Sequence, residues 1–384
     1  MIATVVLVAL GLVAATWLLG GLETLSASDG PGRSRSGRTG NAAAAPAVSV
    51  IIPARNEAAT LPTLLESLER SRRPPLEIIV VDDDSDDGTG DEARRLGATT
   101  VIRTSPEPGW LGKTWACHVG ALVASGDVLV FLDADTRLSP GALGALADEL
   151  ATRGGLVSVQ PYHTTVRPYE ELSAYCSAVA MIGSGAFAAP RPVGRATAFG
   201  PCLVTSAADY HAAGGHGAVR GAVVEDIHLA RRYAAAGRAV SSLAGGDAVR
   251  FRMYPVGLGQ LVEGWGKNIS TGAALASPLA VGPAVLWVAS HAAVAVATVA
   301  GVRQWAVGDD GFPLVLAALW VVVAVHLRVI LRSIGSFRWW TAAAFPIPLA
   351  AFLVIFARSF VTTTLRRQVR WRGRTVAVPS RRGC

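Results

Sequence analysis

Val128-Leu-Val-Phe-Leu-Asp-Ala-Asp135 reads as a buried strand that ends in two carboxylates. Its apolar run, rich in valine and phenylalanine, suits a strand covered on both faces. Asp133 and Asp135 then stand at the carboxyl end of that strand. In extended backbone the i and i+2 side chains share a face, so both carboxylates can aim at one hard cation. Mg²⁺ or Mn²⁺ would suit such oxygen donors, with substrate phosphates filling the remaining positions. A bare Asp-x-Asp is common in proteins, and the preceding strand is what gives this one weight.

The same pattern recurs upstream. Val48-Ser-Val-Ile-Ile52 ends at Pro53, Glu77-Ile-Ile-Val-Val81 runs into acids, and Thr99–Arg103 reads as a third strand. Leu61, Leu64, Leu65 and Leu68 recur at helical spacing, with Asn56 expected as the cap. Asp91–Leu96 and Lys113–Ser125 read as further helices. This alternation predicts an α/β fold with a mostly parallel sheet covered on both faces. Ligands of such sheets bind beyond the carboxyl ends of the strands, where the acids of this chain cluster.

Four pieces carry chemistry. Asp133 and Asp135 are the first. Asp82-Asp83-Asp84-Ser85 is the second, and adjacent carboxylates repel unless they are solvated or hold cations and hydroxyls. They suit a clamp on a nucleoside, with a solvated acidic turn as the competing reading. Glu225-Asp226 is the third, flanked by Ile227 and Leu229 and placed to open an amphipathic helix. Such acids favour a helix N-terminus in any protein, and one of them can also serve as a general base toward an acceptor hydroxyl. Gly109-Trp-Leu-Gly-Lys-Thr-Trp115 is the fourth, in which Lys113 can neutralise donor phosphate. Its spacing is not that of a P-loop. Gln160-Pro-Tyr-His163 is a weaker candidate for an acceptor cleft, a packed loop being the plainer account.

Composition sets the surroundings. Of 384 residues, 51 % are apolar and 16 % charged, which is below the quarter usual for soluble domains and implies segments in lipid. The net charge of +7 fits basic cytoplasmic loops. No basic stripe with interleaved aromatics supports nucleic-acid binding. Cys117, Cys176, Cys202 and Cys384 form no C-x-x-C pair, so neither a zinc site nor a disulfide framework is indicated.

The expected organisation has five parts. Residues 1–25 form an N-terminal membrane anchor, with Ile2–Leu22 as its apolar run. A flexible basic linker, 26–47, carries Arg33, Arg35 and Arg38. The catalytic domain is 48–277, with an interfacial helix near 257–275 on which Leu258, Leu261, Val262 and Trp265 fall at helical spacing. Membrane helices occupy 278–362, with candidate spans at Leu279–Val302, Phe312–Leu331 and Thr341–Phe360. A basic cytoplasmic tail is 363–384. Arg332 and Arg338 suggest a cytoplasmic loop, and Asp309 and Asp310 an outside one. Three full spans would then leave the tail outside, a conflict that a re-entrant or interfacial segment at Pro346 and Pro348 would remove.

The ordered motifs at Pro53-Ala-Arg-Asn-Glu57, Asp82–Ser85, Gly112-Lys113, Asp133-Ala-Asp135 and Glu225-Asp226 resemble the family 2 glycosyltransferases over roughly Val48–Ser270. Gly109–Cys117 and Gly264-Trp-Gly-Lys-Asn268 most resemble the carotenoid (diaponeurosporenoate-type) and hopanoid-associated members. The resemblance implies a GT-A fold, an inverting reaction, a donor such as UDP-glucose and a lipid acceptor at the plasma membrane. It implies that Pro53, Glu57 and one of Asp82, Asp83 and Asp84 contact the nucleotide. Asp135 with Asp133 would hold the metal, and Asp226 would be the base. The Q-x-x-R-W signature of processive polysaccharide synthases is absent, since Gln260-Leu-Val-Glu-Gly-Trp265 lacks the arginine. Trp265 and Lys267 are instead expected at the membrane interface. A nucleotidyltransferase acting on a sugar phosphate is the other rival, but Pro53–Glu57 is not its basic glycine-rich loop.

Overall fold

The computed structural model describes residues 2–27, 45–190, 196–276, 278–307, 314–365, 368–371 and 374–377. Most of the linker, Asp309, Asp310, half of the basic tail and Cys384 lie outside these residues. The chain divides into two compact units that alternate along the sequence. One comprises Glu23–Tyr162 and Gly194–Arg252; the other comprises Met1–Leu22, His163–Val193 and Met253–Cys384.

The first unit is built on a seven-stranded sheet. From edge to edge the strands are Thr100–Thr104, Glu77–Asp83, Val48–Ala54, Val128–Leu132, Cys202–Ser206, Leu156–Gln160 and Val240–Ala244. Neighbours pair in parallel except Cys202–Ser206, which runs antiparallel to both strands beside it. This is the mostly parallel sheet that the strand–helix alternation predicts. Because strand side chains alternate, each apolar run feeds two cores. Val50, Ile52, Val80, Val130 and Leu132 join Leu61, Leu64, Leu65, Leu68, Leu143 and Leu146 on one face. Ile51, Ile79, Val81, Leu129 and Phe131 join Ala116, Cys117, Tyr210, Leu229 and Tyr233 on the other. Full burial of each such aliphatic side chain contributes about 1.5–3 kcal/mol, so the uninterrupted runs of the central strands are what the sheet needs. The helix expected at Leu61–Leu68 spans Leu61–Glu69, but its cap is Thr60 rather than Asn56.

The second unit is helical. Ile2–Leu19 (mean hydropathy 2.5), Pro278–Ala306 (1.9) and Leu314–Ile334 (2.5) are long and apolar enough to cross a membrane. Ile2–Leu19 packs closely on Pro278–Ala306, where a Cβ added to Gly11 would lie 2.3 Å from Ser290 Oγ. The third expected C-terminal span is broken into Trp339–Ala343 and Pro346–Leu365. Pro346 accounts for the break, since it lacks the N–H that would continue the first helix. The helix expected near 257–275 is Leu258–Leu275. Trp265, however, is not an interfacial anchor: it is 4 % exposed, and its indole N–H donates to Ser173 Oγ at 2.9 Å. Leu261 is likewise buried, so half of the apolar stripe packs within its own unit, while Leu258 stays 51 % exposed and Val262 half-buried. His163 is buried beside Ser177, with 2.9 Å between its Nδ1 and the hydroxyl, as a packed loop requires.

Two adjacent glycines test the packing of the sheet. Both lie in the left-handed region, Gly154 at φ +67° and Gly155 at φ +63°. A Cβ at Gly154 meets nothing within 4 Å, whereas one at Gly155 would lie 2.1 Å from the Ala239 carbonyl. Gly154→Ala should therefore cost only the left-handed strain, about 1–2 kcal/mol. Gly155→Ala should lower the thermal unfolding midpoint further, because it also pushes Leu156–Gln160 off Val240–Ala244. Equal losses for the two variants would contradict this packing.

Candidate active site

The carboxyl edge of the sheet collects the candidate residues. Asp133 follows Leu132 directly, and its N–H donates to the Pro201 carbonyl at 2.9 Å. The antiparallel strand Cys202–Ser206 begins at this edge, with Cys202 opposite Leu132. Reversal of one strand thus brings Gly200 and Pro201 to the place where the parallel strands end. The extended backbone expected through Asp133–Asp135 is absent. Thr136 N–H donates to the Asp133 carbonyl at 3.0 Å and closes a turn, while the Thr136 hydroxyl donates to the same oxygen at 2.7 Å. Ala134 is buried inside that turn, and Asp133 and Asp135 are both partly exposed.

Lys113 sits in the first turn of the helix Gly112–Val123. Its ammonium lies 2.7 Å from Asp133 Oδ1 and 3.0 Å from Glu225 Oε1. It also reaches the Gly200 carbonyl at 3.5 Å. Glu225 and Asp226 open the helix Glu225–Ala235, as the flanking apolar pattern predicts. Asp226 Oδ2 accepts the Gly200 N–H at 2.7 Å, and its Oδ1 accepts the Ile227 N–H at 2.8 Å. Gly200 is closely packed, since a Cβ would stand 3.1 Å from Lys113 Nζ and 3.2 Å from Asp226 Oδ2. The turn before this helix is pinned from below. Tyr210 Oη accepts the His216 N–H at 3.0 Å and pairs with His216 Nδ1 at 2.8 Å, while the His216 ring meets Phe131 edge-on at 4.9 Å.

These contacts set the charges. Burial disfavours the Lys113 ammonium, yet Asp133 and Glu225 hold its pKa well above the usual lysine value. Burial likewise works against the Glu225 carboxylate, but Lys113 holds its pKa below the ordinary range. Asp226 moves the other way. Burial and the neighbouring Glu225 charge push it up to about 7, against the pull of Lys113. The two adjacent acids therefore differ in protonation near neutral pH, which is how one site can hold both a fixed anion and a proton acceptor.

The loops after Val48–Ala54 and Glu77–Asp83 are laced together. Asn56 N–H donates to Ser85 Oγ at 3.0 Å, and Asn56 Oδ1 accepts the Asp86 N–H at 3.1 Å. Glu57 N–H donates to Thr89 Oγ1 at 2.8 Å. Pro53 lies in register with Val81. The three acids do not converge on one point. Asp82 is 3 % exposed and accepts the Ser85 N–H at 2.9 Å. Asp83 is 2 % exposed and faces Arg55 at 3.7 Å. Asp84, at φ +52°, turns outward to Arg103 at 3.1 Å. Separate partners relieve the repulsion that adjacent carboxylates would otherwise suffer.

For a divalent cation the donor set is small. Among the described residues no group of three His, Cys, Asp or Glu side chains is placed to cage a metal. One or two carboxylates can hold Mg²⁺ or Mn²⁺ together with substrate phosphates, and Asp133 and Asp135, both partly exposed at this edge, are the candidates for that mode.

Residues 49–189 match the family described as Glycosyl transferase family 2. The 4,4'-diaponeurosporenoate glycosyltransferase of Staphylococcus haemolyticus is 32 % identical over 338 residues, covering 86 % of this chain and 88 % of that one. The chain belongs to glycosyl transferase family 2. The enzyme of the same name from Staphylococcus aureus strain MRSA252 is 33 % identical over 344 residues, covering 86 % of this chain and 88 % of its own. The mannosyltransferase PcManGT from Pyrobaculum calidifontis, solved in complex with GDP-Man and Mn2+, superposes with a TM-score of 0.49 at 19 % identity, over 91 % of this chain and 99 % of that one.

Two residues of this glycosyltransferase's site escaped the sequence reading. Gly200 gave no local signal, because its position follows from the reversed strand. Arg55 lies inside the Pro53–Glu57 motif, where a cation two residues from an expected nucleotide contact was the available sign. Arg55→Ala should leave Asp83 as a buried anion without its nearest cation, a loss on the order of 3 kcal/mol. Adding Asp83→Asn should restore part of that stability in denaturant unfolding. No recovery in the double variant would show that the pair is not coupled.

Proposed function

We propose that this glycosyltransferase moves a sugar from a nucleoside-diphosphate donor such as UDP-glucose to a membrane lipid of carotenoid type, with inversion at the anomeric carbon. The cluster of Asp133, Lys113, Glu225 and Asp226 at one sheet edge carries this reading. The relatives named for 4,4'-diaponeurosporenoate support the acceptor, since that name denotes a carboxylate on an apolar polyene.

Each residue has a distinct task. Pro53, Glu57 and the buried acids Asp82 and Asp83 shape the nucleoside end, with Asp84 at its rim. Asp133 and Asp135 hold Mg²⁺ or Mn²⁺, which when bound supplies positive charge to the departing diphosphate. Lys113 adds a second cation toward the phosphates. Asp226 accepts the proton of an acceptor hydroxyl or, where the acceptor is an already ionised carboxylate, positions it. Glu225 remains an anion that keeps Asp226 basic.

In this reading the enzyme is a multi-pass protein of the cell membrane with a cytoplasmic catalytic unit, which three helices long and apolar enough to cross a membrane support. One N-terminal span brings the chain to the cytoplasmic side, and two C-terminal spans leave that side and return to it, with the proline-broken segment not crossing. The basic tail then stays with the catalytic unit, as the positive-inside rule requires.

Membranes containing the protein should convert UDP-glucose and 4,4'-diaponeurosporenoate to a glycosyl ester visible by mass spectrometry, and Asp133→Asn with Asp135→Asn should lose nearly all of it. Persistent product in that double variant would refute the reading. With a hydroxyl acceptor, kcat/KM should fall as pH drops through about 7, because protonated Asp226 cannot take a proton. Glu225→Gln removes a neighbouring negative charge and should move that limb to lower pH. Asp226→Asn should abolish transfer to hydroxyls yet only weaken ester formation; equal losses on both acceptors would rule out this division of labour.

A further inference from the structure

Lys113 sits on one oxygen of the carboxylate assigned above to a divalent cation. Its ammonium is 2.7 Å from Asp133 Oδ1 and 3.0 Å from Glu225 Oε1, which are distances of charge-assisted hydrogen bonds. The helix Gly112–Val123 fixes where the lysine stem starts, and the helix Glu225–Ala235 fixes the second carboxylate. The Gly200 carbonyl at 3.5 Å completes a nest of three oxygens around one ammonium. Only 24 % of the lysine side chain is exposed, so solvent screens these charges weakly. A divalent ion directed at Asp133 must displace Lys113 from Oδ1 or share the carboxylate with it through the other oxygen. Two cations on one half-buried carboxylate repel strongly.

A sugar nucleotide changes this balance. Its diphosphate carries two negative charges and the divalent ion two positive ones, so the pair enters without altering the net charge of the cluster. Either partner alone shifts that charge by two in a largely dehydrated place. The diphosphate also offers Lys113 a replacement for Asp133. Because Lys113 lies in the first turn of a twelve-residue helix, an anion drawn to its ammonium meets the amino end of that helix as well.

We propose that Lys113 gates divalent-cation binding: without donor it clasps Asp133 and Glu225, and it releases Asp133 only when a diphosphate takes its ammonium. Cation and donor then bind cooperatively, and the cation alone binds weakly. This gate rests on the assignment of Asp133 as a cation ligand in the proposed reaction.

The test is Mn²⁺ binding to the full-length protein in detergent, read from the free-ion electron paramagnetic resonance signal with and without UDP. Wild type should bind Mn²⁺ at least about tenfold tighter with UDP, and by linkage Mn²⁺ should tighten UDP by the same factor. Lys113→Met should bind Mn²⁺ alone about tenfold tighter than wild type and lose most of the enhancement by UDP. Lys113→Arg keeps the charge and should behave as wild type, so the prediction stands on a second variant should the methionine protein not fold. Equal Mn²⁺ affinity of the wild type with and without UDP overturns the gate, as does unchanged Mn²⁺-only affinity in Lys113→Met. Asp133→Asn separates the two levels of the argument. If it leaves Mn²⁺ binding with UDP intact, the assignment of Asp133 is wrong and the gate falls with it. If it abolishes binding while Lys113→Met changes nothing, only the gate is wrong.

Discussion

A lysine held between two carboxylates is the interaction on which the catalytic edge depends. Burying any one of Lys113, Asp133 or Glu225 alone would be costly, and the arrangement is tolerated because the Lys113 ammonium lies within 3.0 Å of both carboxylates. The three come from a helix start, a strand end and a second helix start, so the ion pairs also tie those elements to one another. Asp226 inherits its properties from this arrangement. Burial and the charge of Glu225 leave it the weaker acid of the pair, although two backbone N–H groups donate to it.

Much of the fold is legible in short stretches. The strands at Val48, Glu77 and Val128 were readable because each is a run of apolar residues buried on both sides, a pattern that depends on composition alone. The acids after them were readable for the same local reason. What the sequence did not disclose depends on distant partners. The contact of Lys113 with Asp133 spans a helix and a strand, and the approach of Gly200 follows from an antiparallel strand far along the chain. The turn at Asp133–Asp135 depends on the Thr136 N–H and hydroxyl, whose claim on the Asp133 carbonyl no periodicity announces. Asn56 misled as a cap because Asn tolerates left-handed backbone as readily as it caps helices, and here it does the former at φ +53°.

Trp265 teaches a related lesson. Tryptophan beside lysine near an apolar region reads as an interfacial anchor, because the indole has one wet and one dry end. Inside a helical unit a serine hydroxyl can satisfy the same N–H, and Ser173 does so. Sequence shows that the indole needs a partner but not whether lipid headgroup, water or protein provides it.

The alternation of the two units along the chain has a bearing on how the molecule can be made and divided. The strand Leu156–Gln160 pairs with Cys202–Ser206 and Val240–Ala244, and between the first two the chain leaves the sheet to form the helix Ala174–Ser184. The catalytic sheet cannot close during synthesis until residues beyond 240 have emerged, well after that helix has been made. A catalytic fragment cut at the obvious sequence boundaries would carry Tyr175, Ala178, Met181 and Ile182, all buried in the intact chain, without the later helices of their own unit. Such a fragment should aggregate unless this excursion is replaced by a short polar connection.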